Sequence, residues 1–186
     1  SLCVSLVAGA LQSFHASHPG IELNVSESGS QGLIEQLAEG ALDLALITTP
    51  ESRQSPRATL SRIPLLNEEL LVVSSLRGDT ALDSPTLTLE ELAAKPQVVF
   101  HRGYDLRATT EAAYLEAGLQ PNVVVEGPEM DAVLRFVELG LGVAVVPAMV
   151  LRGRHGLRAA LPTASRLQRA VCLAHRSAVP LARAAR

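Results

Sequence analysis

LIEQLAEGALDLALITTP, residues 33–50, sets three signals in a row. Leu33, Ile34 and Leu37 recur at the spacing that lines one face of a helix. Gly40 stands where a C-terminal cap belongs, because glycine accepts the left-handed backbone there without strain. The run Leu42-Asp43-Leu44-Ala45-Leu46-Ile47 is then nearly all apolar, as a strand covered on both faces is, and Pro50 closes it. One hundred residues later VLRFVELGLGVAVVP, residues 133–147, repeats the order: helix to Leu139, Gly140, strand Val143–Val146, Pro147. A unit of helix, glycine, apolar strand and proline that occurs twice predicts two similar lobes.

The chain upstream and downstream fits the same alternation. Leu6, Val7, Ala10, Leu11 and Phe14 fall at helical spacing, and His18-Pro19-Gly20 stops that helix. Ile21, Leu23 and Val25 alternate with Glu22, Asn24 and Ser26, which predicts a strand with one face covered. Gly29-Ser30 supplies a turn and an N-cap for the helix that carries Leu33. Residues 48–59 read as polar loop. Strands are expected near Leu60–Leu65 and Leu70–Ser74, followed by a turn-rich link from Arg77 to Pro85.

Thr88 and Glu91 form a capping box that opens a short helix closed by Pro96. Strand Val98–Phe100, a helix from Asp105 to Ala117 stopped by Gly118, strand Val123–Glu126 and a helix from Glu129 to Leu139 follow. The tail predicts a short helix, strands near Leu157–Leu161 and Ala170–His175, and a final helix. Strand and helix alternate throughout, the signature of an α/β fold with parallel sheets covered by helices. Two α/β lobes joined by the strands near 70–74 and 170–175 make a hinged molecule, with lobe I at 1–72 plus 169–186 and lobe II at 73–168. Ligands in such sheets bind outside the carboxyl ends of strands, where helix N-termini converge, so the cleft between the lobes is the expected site.

Composition narrows the function. With 186 residues, 47% apolar and 19% charged, the chain can bury a core and is not disordered. No apolar run approaches the roughly 18–20 residues that cross a bilayer, so no membrane partner is expected. The net charge of −3 argues against a general nucleic-acid surface. Residues 1–138 carry all 19 acids and 8 bases, whereas 139–186 carry eight arginines and no acid. Those arginines read either as a basic tail for nucleic acid or as surface residues that pair with acids from the first part; their irregular spacing without aromatics favours the second. Cys3 and Cys172 fit no CxxC or metal spacing and read either as a disulfide or redox switch or, in preference, as buried free thiols in a reducing cytosol.

Catalytic motifs do not emerge. Gly140-Leu141-Gly142 lacks the third glycine of a dinucleotide fingerprint and lies between a helix and a strand, the wrong order for cradling a pyrophosphate. Ser28-Gly29-Ser30-Gln31-Gly32 does not have the spacing of a nucleophile elbow. His15 and His18 are three apart, yet nothing nearby completes a metal set. No cofactor and no catalytic residue are expected, and His101, just past a strand end, is the one candidate for an enzyme reading.

Several blocks, in order, resemble one family. Ser17-His18-Pro19-Gly20-Ile21-Glu22-Leu23, Glu27-Ser28-Gly29-Ser30 and Leu37-Ala38-Glu39-Gly40-Ala41-Leu42-Asp43-Leu44-Ala45-Leu46 are the first. Pro64-Leu65-Leu66-Asn67-Glu68-Glu69-Leu70, Thr88-Leu89-Glu90-Glu91-Leu92, Glu116-Ala117-Gly118-Leu119 and Leu139-Gly140-Leu141-Gly142-Val143-Ala144-Val145-Val146-Pro147 complete the set. Together they resemble the effector-binding domain of LysR-type transcriptional regulators across nearly the whole chain.

The resemblance implies a periplasmic-binding-protein-like type 2 fold, two Rossmann-like lobes with a hinge, with the first strand of lobe one expected upstream of Ser1. It implies a small-molecule inducer between the lobes, DNA contacted through an N-terminal winged helix-turn-helix outside this chain, a homodimer or homotetramer, and a cytoplasmic location. Carried over position by position, it implies a ligand site of Ser1, Ser30, Gln31, Thr48, Thr49, His101, Arg102, Tyr104 and Met130. Ser30 could equally be only an N-cap, and Thr48 and Thr49 ordinary loop residues. Arg102 or Arg107 could clamp an acid bidentately or pair with Glu111. Asp105 and Glu129 stand near helix starts where related sequences carry small polar residues, which points to an inducer with a cationic or hydrogen-bond-donating group on that side. Two other functions share the fold: a solute-binding protein of a transport system, and an enzyme built on His101.

Overall fold

The computed structural model describes residues 6–49, 60–163, 167–177 and 179–180, with residue 49 by its backbone. The chain divides into two units: unit 1 is Ser1–Asn67 with Ala170–Arg186, and unit 2 is Glu68–Arg169. It passes between them in two strands, β2 (Leu60–Ser75) and β8 (Gln168–Arg176).

Unit 1 contains α1 (Ala8–Ser17), α2 (Ser30–Glu39) and β1 (Ala45–Thr49). β1 pairs antiparallel with β8, in a register that runs from Ala45 opposite Ala174 to Thr49 opposite Ala170. α2 turns Leu33 and Leu37 inward onto Ala45, Ile47, Cys172 and Ala174, which form the core of this unit. Full burial of a leucine such as Leu37 stabilises the unit by about 2 kcal/mol. The strand expected at residues 21–26 is absent: the segment enters no ladder among the described residues, with Leu23 38% and Val25 51% exposed. Alternation supplies a covered face only where a neighbouring strand offers its edge. β1 also starts later than expected, at Ala45, because the helix cap occupies Gly40 to Leu42.

Among the described residues unit 2 holds the larger core. β2 is one unbroken strand where two were expected. Its second half takes β6 (Ala144–Pro147) and β7 (Leu157–Pro162) as antiparallel neighbours, from Leu70 opposite Pro147 to Ser75 opposite Leu157. β3 (Thr86–Leu87), which sequence reading missed in its turn-rich surroundings, pairs parallel to β7. β4 (Gln97–Phe100) and β5 (Val123–Gly127) are parallel, and Gln97 bridges in parallel to Val143. The sheets are thus mixed rather than parallel throughout. Parallel pairs need helical crossovers of a dozen residues or more, and the strands that neighbour β2 and β8 do not all arrive that way.

Three helices cover unit 2: α3 (Leu89–Ala94), α4 (Asp105–Glu116) and α5 (Met130–Glu138). The capping box of α3 forms as expected, with Glu91 N–H donating to Thr88 Oγ1 at 3.2 Å and Thr88 N–H to Glu91 Oε2 at 2.7 Å. α5 buries Val133, Leu134 and Val137 against Val98, Val143 and Val146. A short 3-10 helix, Ala148–Leu151, stands where the tail's short helix was expected. The final helix of the tail lies outside the described residues.

The repeat seen in the sequence is a repeat in the backbone. Gly40 N–H bonds Leu37 O at 3.1 Å and Ala41 N–H bonds Gln36 O at 2.9 Å; Gly140 N–H bonds Val137 O at 2.9 Å and Leu141 N–H bonds Phe136 O at 3.1 Å. Both glycines are left-handed, with φ of 81° and 80°. Each helix therefore ends in the same Schellman turn, one hundred residues apart.

Candidate functional site

In unit 1 the residues singled out from the sequence converge on the start of α2. Gly29 is the N-cap, in extended conformation, and no side chain caps the helix; its first turn contains no acid. The amide groups at this end therefore present the positive pole of the helix, with no acid of the helix's own first turn beside them. Beside them, Ser30 Oγ accepts the Thr48 N–H at 2.9 Å, donates toward Thr48 O at 3.3 Å and lies 3.4 Å from Thr48 Oγ1. Ser30 thus joins the helix start to the end of β1. Thr48 is buried, whereas Gln31 is exposed and donates to Glu35 Oε1 at 2.8 Å on its own helix. Ser1 and the side chain of Thr49 lie outside the described residues. Two hydroxyls beside an uncapped helix N-terminus form an arrangement suited to a carboxylate or phosphate oxygen.

Unit 2 places its residues on the loop after β4 and at two helix starts. His101 and Arg102 are exposed. The Gly103 N–H donates to His101 Nδ1 at 3.1 Å, so the imidazole ring is folded back onto its own loop. Tyr104 stacks on Phe100 with ring centroids 4.5 Å apart and meets His101 edge-on at 5.8 Å. Arg107 is buried: its Nε donates to Glu111 Oε1 at 2.6 Å and its Nη1 to Phe100 O at 3.4 Å. Of the two uses open to Arg107, the structure shows the pairing with Glu111.

Met130 is 3% exposed and packs into the core of unit 2. Glu129, one residue before it, is the N-cap of α5. Its Oε2 accepts the Asp131 N–H at 3.1 Å and its Oε1 the Ala132 N–H at 3.0 Å. This end of α5 already carries an anion of its own, and Asp131 in the first turn is held by Arg154. The two units thus differ in kind: a helix start free of acids in unit 1, and one filled by its own carboxylate in unit 2.

A recess in unit 2 lined by Gln97, Phe100, Leu106, Thr110 and Val145 offers no comparable set. Its polar groups are engaged: Gln97 Nε2 donates to Leu92 O at 2.8 Å, Gln97 Oε1 accepts the Tyr114 hydroxyl at 3.0 Å, and Thr110 Oγ1 bonds Leu106 O at 3.0 Å. Among the described residues no group of three or more His, Cys, Asp or Glu gathers as a metal site, and no helix is long and apolar enough to cross a membrane.

Of the tail arginines, Arg154 pairs with Asp131 and Glu138, and Arg169 with Glu68. These are acids from the first part of the chain, as the pairing reading expects, although the Arg169–Glu68 pair is buried rather than on the surface. Sequence reading missed the Glu68–Arg169 pair itself, because its members are 101 residues apart and neither has a local motif. It also missed the capping role of Glu129, a residue type less usual at that position than Ser, Thr, Asp or Asn.

A family model described as LysR substrate binding domain matches residues 1–186. The HTH-type transcriptional regulator YybE of Bacillus subtilis (strain 168) is 32% identical over 148 residues, covering 79% of this chain and 49% of that protein. A probable nitrogen assimilation transcriptional activator of Synechococcus elongatus is 32% identical over 166 residues, covering 88% of this chain and 53% of its own length. The chain thus spans about half the length of these curated relatives. Among solved structures, the effector-binding domain of QuiR in complex with shikimate matches with a TM-score of 0.84 at 19% identity, covering 99% of this chain and 87% of that one. The regulatory domain of Synechocystis PCC6803 CcmR in complex with 2-PG matches with a TM-score of 0.85 at 17% identity, covering 97% and 86%.

Proposed function

This chain belongs to the LysR substrate-binding domain family, and from that premise we propose that it senses a small organic acid or amino acid on behalf of a LysR-type transcriptional regulator. The observation that carries the reading is the family match over the full 186 residues, joined to an acid-free helix start that Ser30 and Thr48 flank. The homologues are transcriptional regulators, not enzymes, and their names favour sensing over solute transport.

The proposed ligand set is one group of residues on each unit. In unit 1, the leading amides of α2 with Ser30, Gln31, Thr48, Thr49 and Ser1 take the carboxylate of the effector. In unit 2, His101, Arg102 and Tyr104 contact its remainder. Met130 contributes through its position at the start of α5, since its side chain belongs to the core. The carboxylates of Glu129 and Asp105 favour an effector whose other end is cationic or donates hydrogen bonds, as an amino acid does.

An effector acts only through unequal affinity for two conformations. DNA is contacted through a winged helix-turn-helix outside this chain, and a homodimer or homotetramer in the cytoplasm presents two such readers to paired half-sites. Determining the native polypeptide upstream of Ser1 tests the regulator reading. A helix-turn-helix segment there supports it; a secretion signal overturns it in favour of a solute-binding protein.

A further inference from the structure

Unit 2 begins at Glu68 and ends at Arg169, and these two residues are bonded to each other. Arg169 Nε donates to Glu68 Oε2 at 2.9 Å, and Arg169 Nη2 lies 2.8 Å from the same oxygen. The second oxygen, Oε1, accepts the N–H of Met149 at 3.4 Å. Glu68 and Arg169 have side chains only 5% and 8% exposed. A charge pair withdrawn from water is stable only while its geometry is kept, since its attraction must offset the lost hydration of both ions. β2 and β8 are hydrogen-bonded neighbours in one sheet, and Leu70 N–H bonds Leu167 O at 2.8 Å; the ion pair adds a side-chain tie at the start of β8 that also takes in the 3-10 helix.

The fastened residue is next in the chain to the proposed site. Ala170 follows Arg169 and pairs with Thr49; Val171 pairs with Thr48. Thr49 and Ala170 are the last pair of the β1–β8 ladder among the described residues, and the outer pairs of a ladder open more readily than its centre. The Thr48 N–H is in turn the group that Ser30 Oγ accepts. A continuous run of links leads from Glu68 through Arg169 and the first residues of β8 to Thr48 and Ser30.

We propose that Glu68 and Arg169 are positioning residues, whose buried ion pair clamps the start of β8 and so holds the Thr48–Thr49 end of β1 against fraying. What that end does for an effector rests on the function proposed above; the clamp itself is tested with no effector present.

The experiment is backbone amide exchange on the full chain and on the double variant Glu68→Met, Arg169→Met. Replacing a buried ion pair by apolar side chains of similar volume commonly leaves a fold intact. The denaturation midpoint is measured alongside. Exchange in residues 47–49 and 170–172 is expected to rise by about tenfold, while the opposite ladder end near Ala45 and Ala174 and the core of unit 2 keep their protection. The single variant Glu68→Gln, which leaves Arg169 buried without its ionic partner, is expected to move the same amides at least as far. Unchanged protection at residues 47–49 and 170–172 in the double variant overturns the proposal. A uniform rise across both units also overturns it, because the pair would then contribute to global stability alone. Neither result bears on whether Ser30 binds an acid, so a failed clamp and a failed ligand site are distinguishable.

Discussion

Gly140 and Gly142 are two residues apart and are glycine for different reasons. Gly140 has φ of 80° and ends α5 in a left-handed turn, with the Thr80 hydroxyl oxygen 3.9 Å away as the nearest atom to any added Cβ. Gly142 needs no such backbone, but a Cβ there would sit 2.6 Å from Pro96 O, a backbone atom. The tight approach is what lets Val143 N–H reach Pro96 O at 2.8 Å and bring β6 alongside β4.

Asparagine separates the two requirements. It tolerates the left-handed region but not a backbone oxygen at its Cβ. Gly140→Asn is expected to cost well under the roughly 1–2 kcal/mol of an ordinary L-residue in that conformation. Gly142→Asn or Gly142→Ala is expected to cost about 1–3 kcal/mol, as overpacking does. Urea denaturation of the four variants, including Gly140→Ala, checks the order. Equal losses for Asn at both positions would contradict it.

Glu129 gives a second expectation. Its carboxylate accepts two N–H groups of α5, so Glu129→Ala is expected to destabilise unit 2 by about 1 kcal/mol. Glu129→Ser, which restores a capping oxygen, is expected to recover most of that loss while removing the charge. Ligand titrations on the Ser variant then read the charge alone: acids with a second anionic group are expected to gain affinity relative to amino acids. An unchanged ratio would remove Glu129 from the determinants of effector class.

Tyr114 makes stability depend on alkaline pH. Burial pushes its hydroxyl up to about 12, and the bond to Gln97 opposes this with a smaller effect. Unfolded tyrosine releases its proton near pH 10, so between pH 10 and 12 the unfolded chain loses a proton that the folded one keeps. The stability from this group is full below about pH 10 and is lost on the order of 2 kcal/mol as pH rises toward 12. Tyr114→Phe is expected to cost about 1 kcal/mol at neutral pH, because Gln97 loses its partner. It should also flatten the alkaline fall. Denaturation midpoints from pH 8 to 11.5 that run parallel in the two proteins would contradict this.

Local signals in the sequence were the ones that survived into the structure. The three glycine-stopped helices and the Thr88–Glu91 box depend on residues within a few positions of one another, and each formed close to its expected bounds, whereas β1 began three residues late and two expected strands were one, β2. The expected N-cap at Gly29-Ser30 falls on Gly29, with Ser30 the first helical residue, and the loop expected from residue 48 begins later, because Thr48 and Thr49 still belong to β1. What required a distant partner was not legible. The 21–26 segment has the alternation of a strand but no neighbouring edge among the described residues. Met130 reads as a free helix start until α5 is packed and its side chain enters the core. Glu68 and Arg169 are a pair only because β2 and β8 bring together residues 101 positions apart.

On the function proposed above, Ser30 at the acid-free start of α2 holds the acidic group of an effector. Titration calorimetry of the chain against a panel of monocarboxylates and amino acids, repeated on Ser30→Ala and Ser30→Thr, reads this role. At least one acid is expected to bind, with affinity about tenfold weaker in Ser30→Ala, the loss of one charge-assisted hydrogen bond, and largely restored in Ser30→Thr. An acid that binds all three folded proteins equally well, or a panel from which none binds, would contradict the claim.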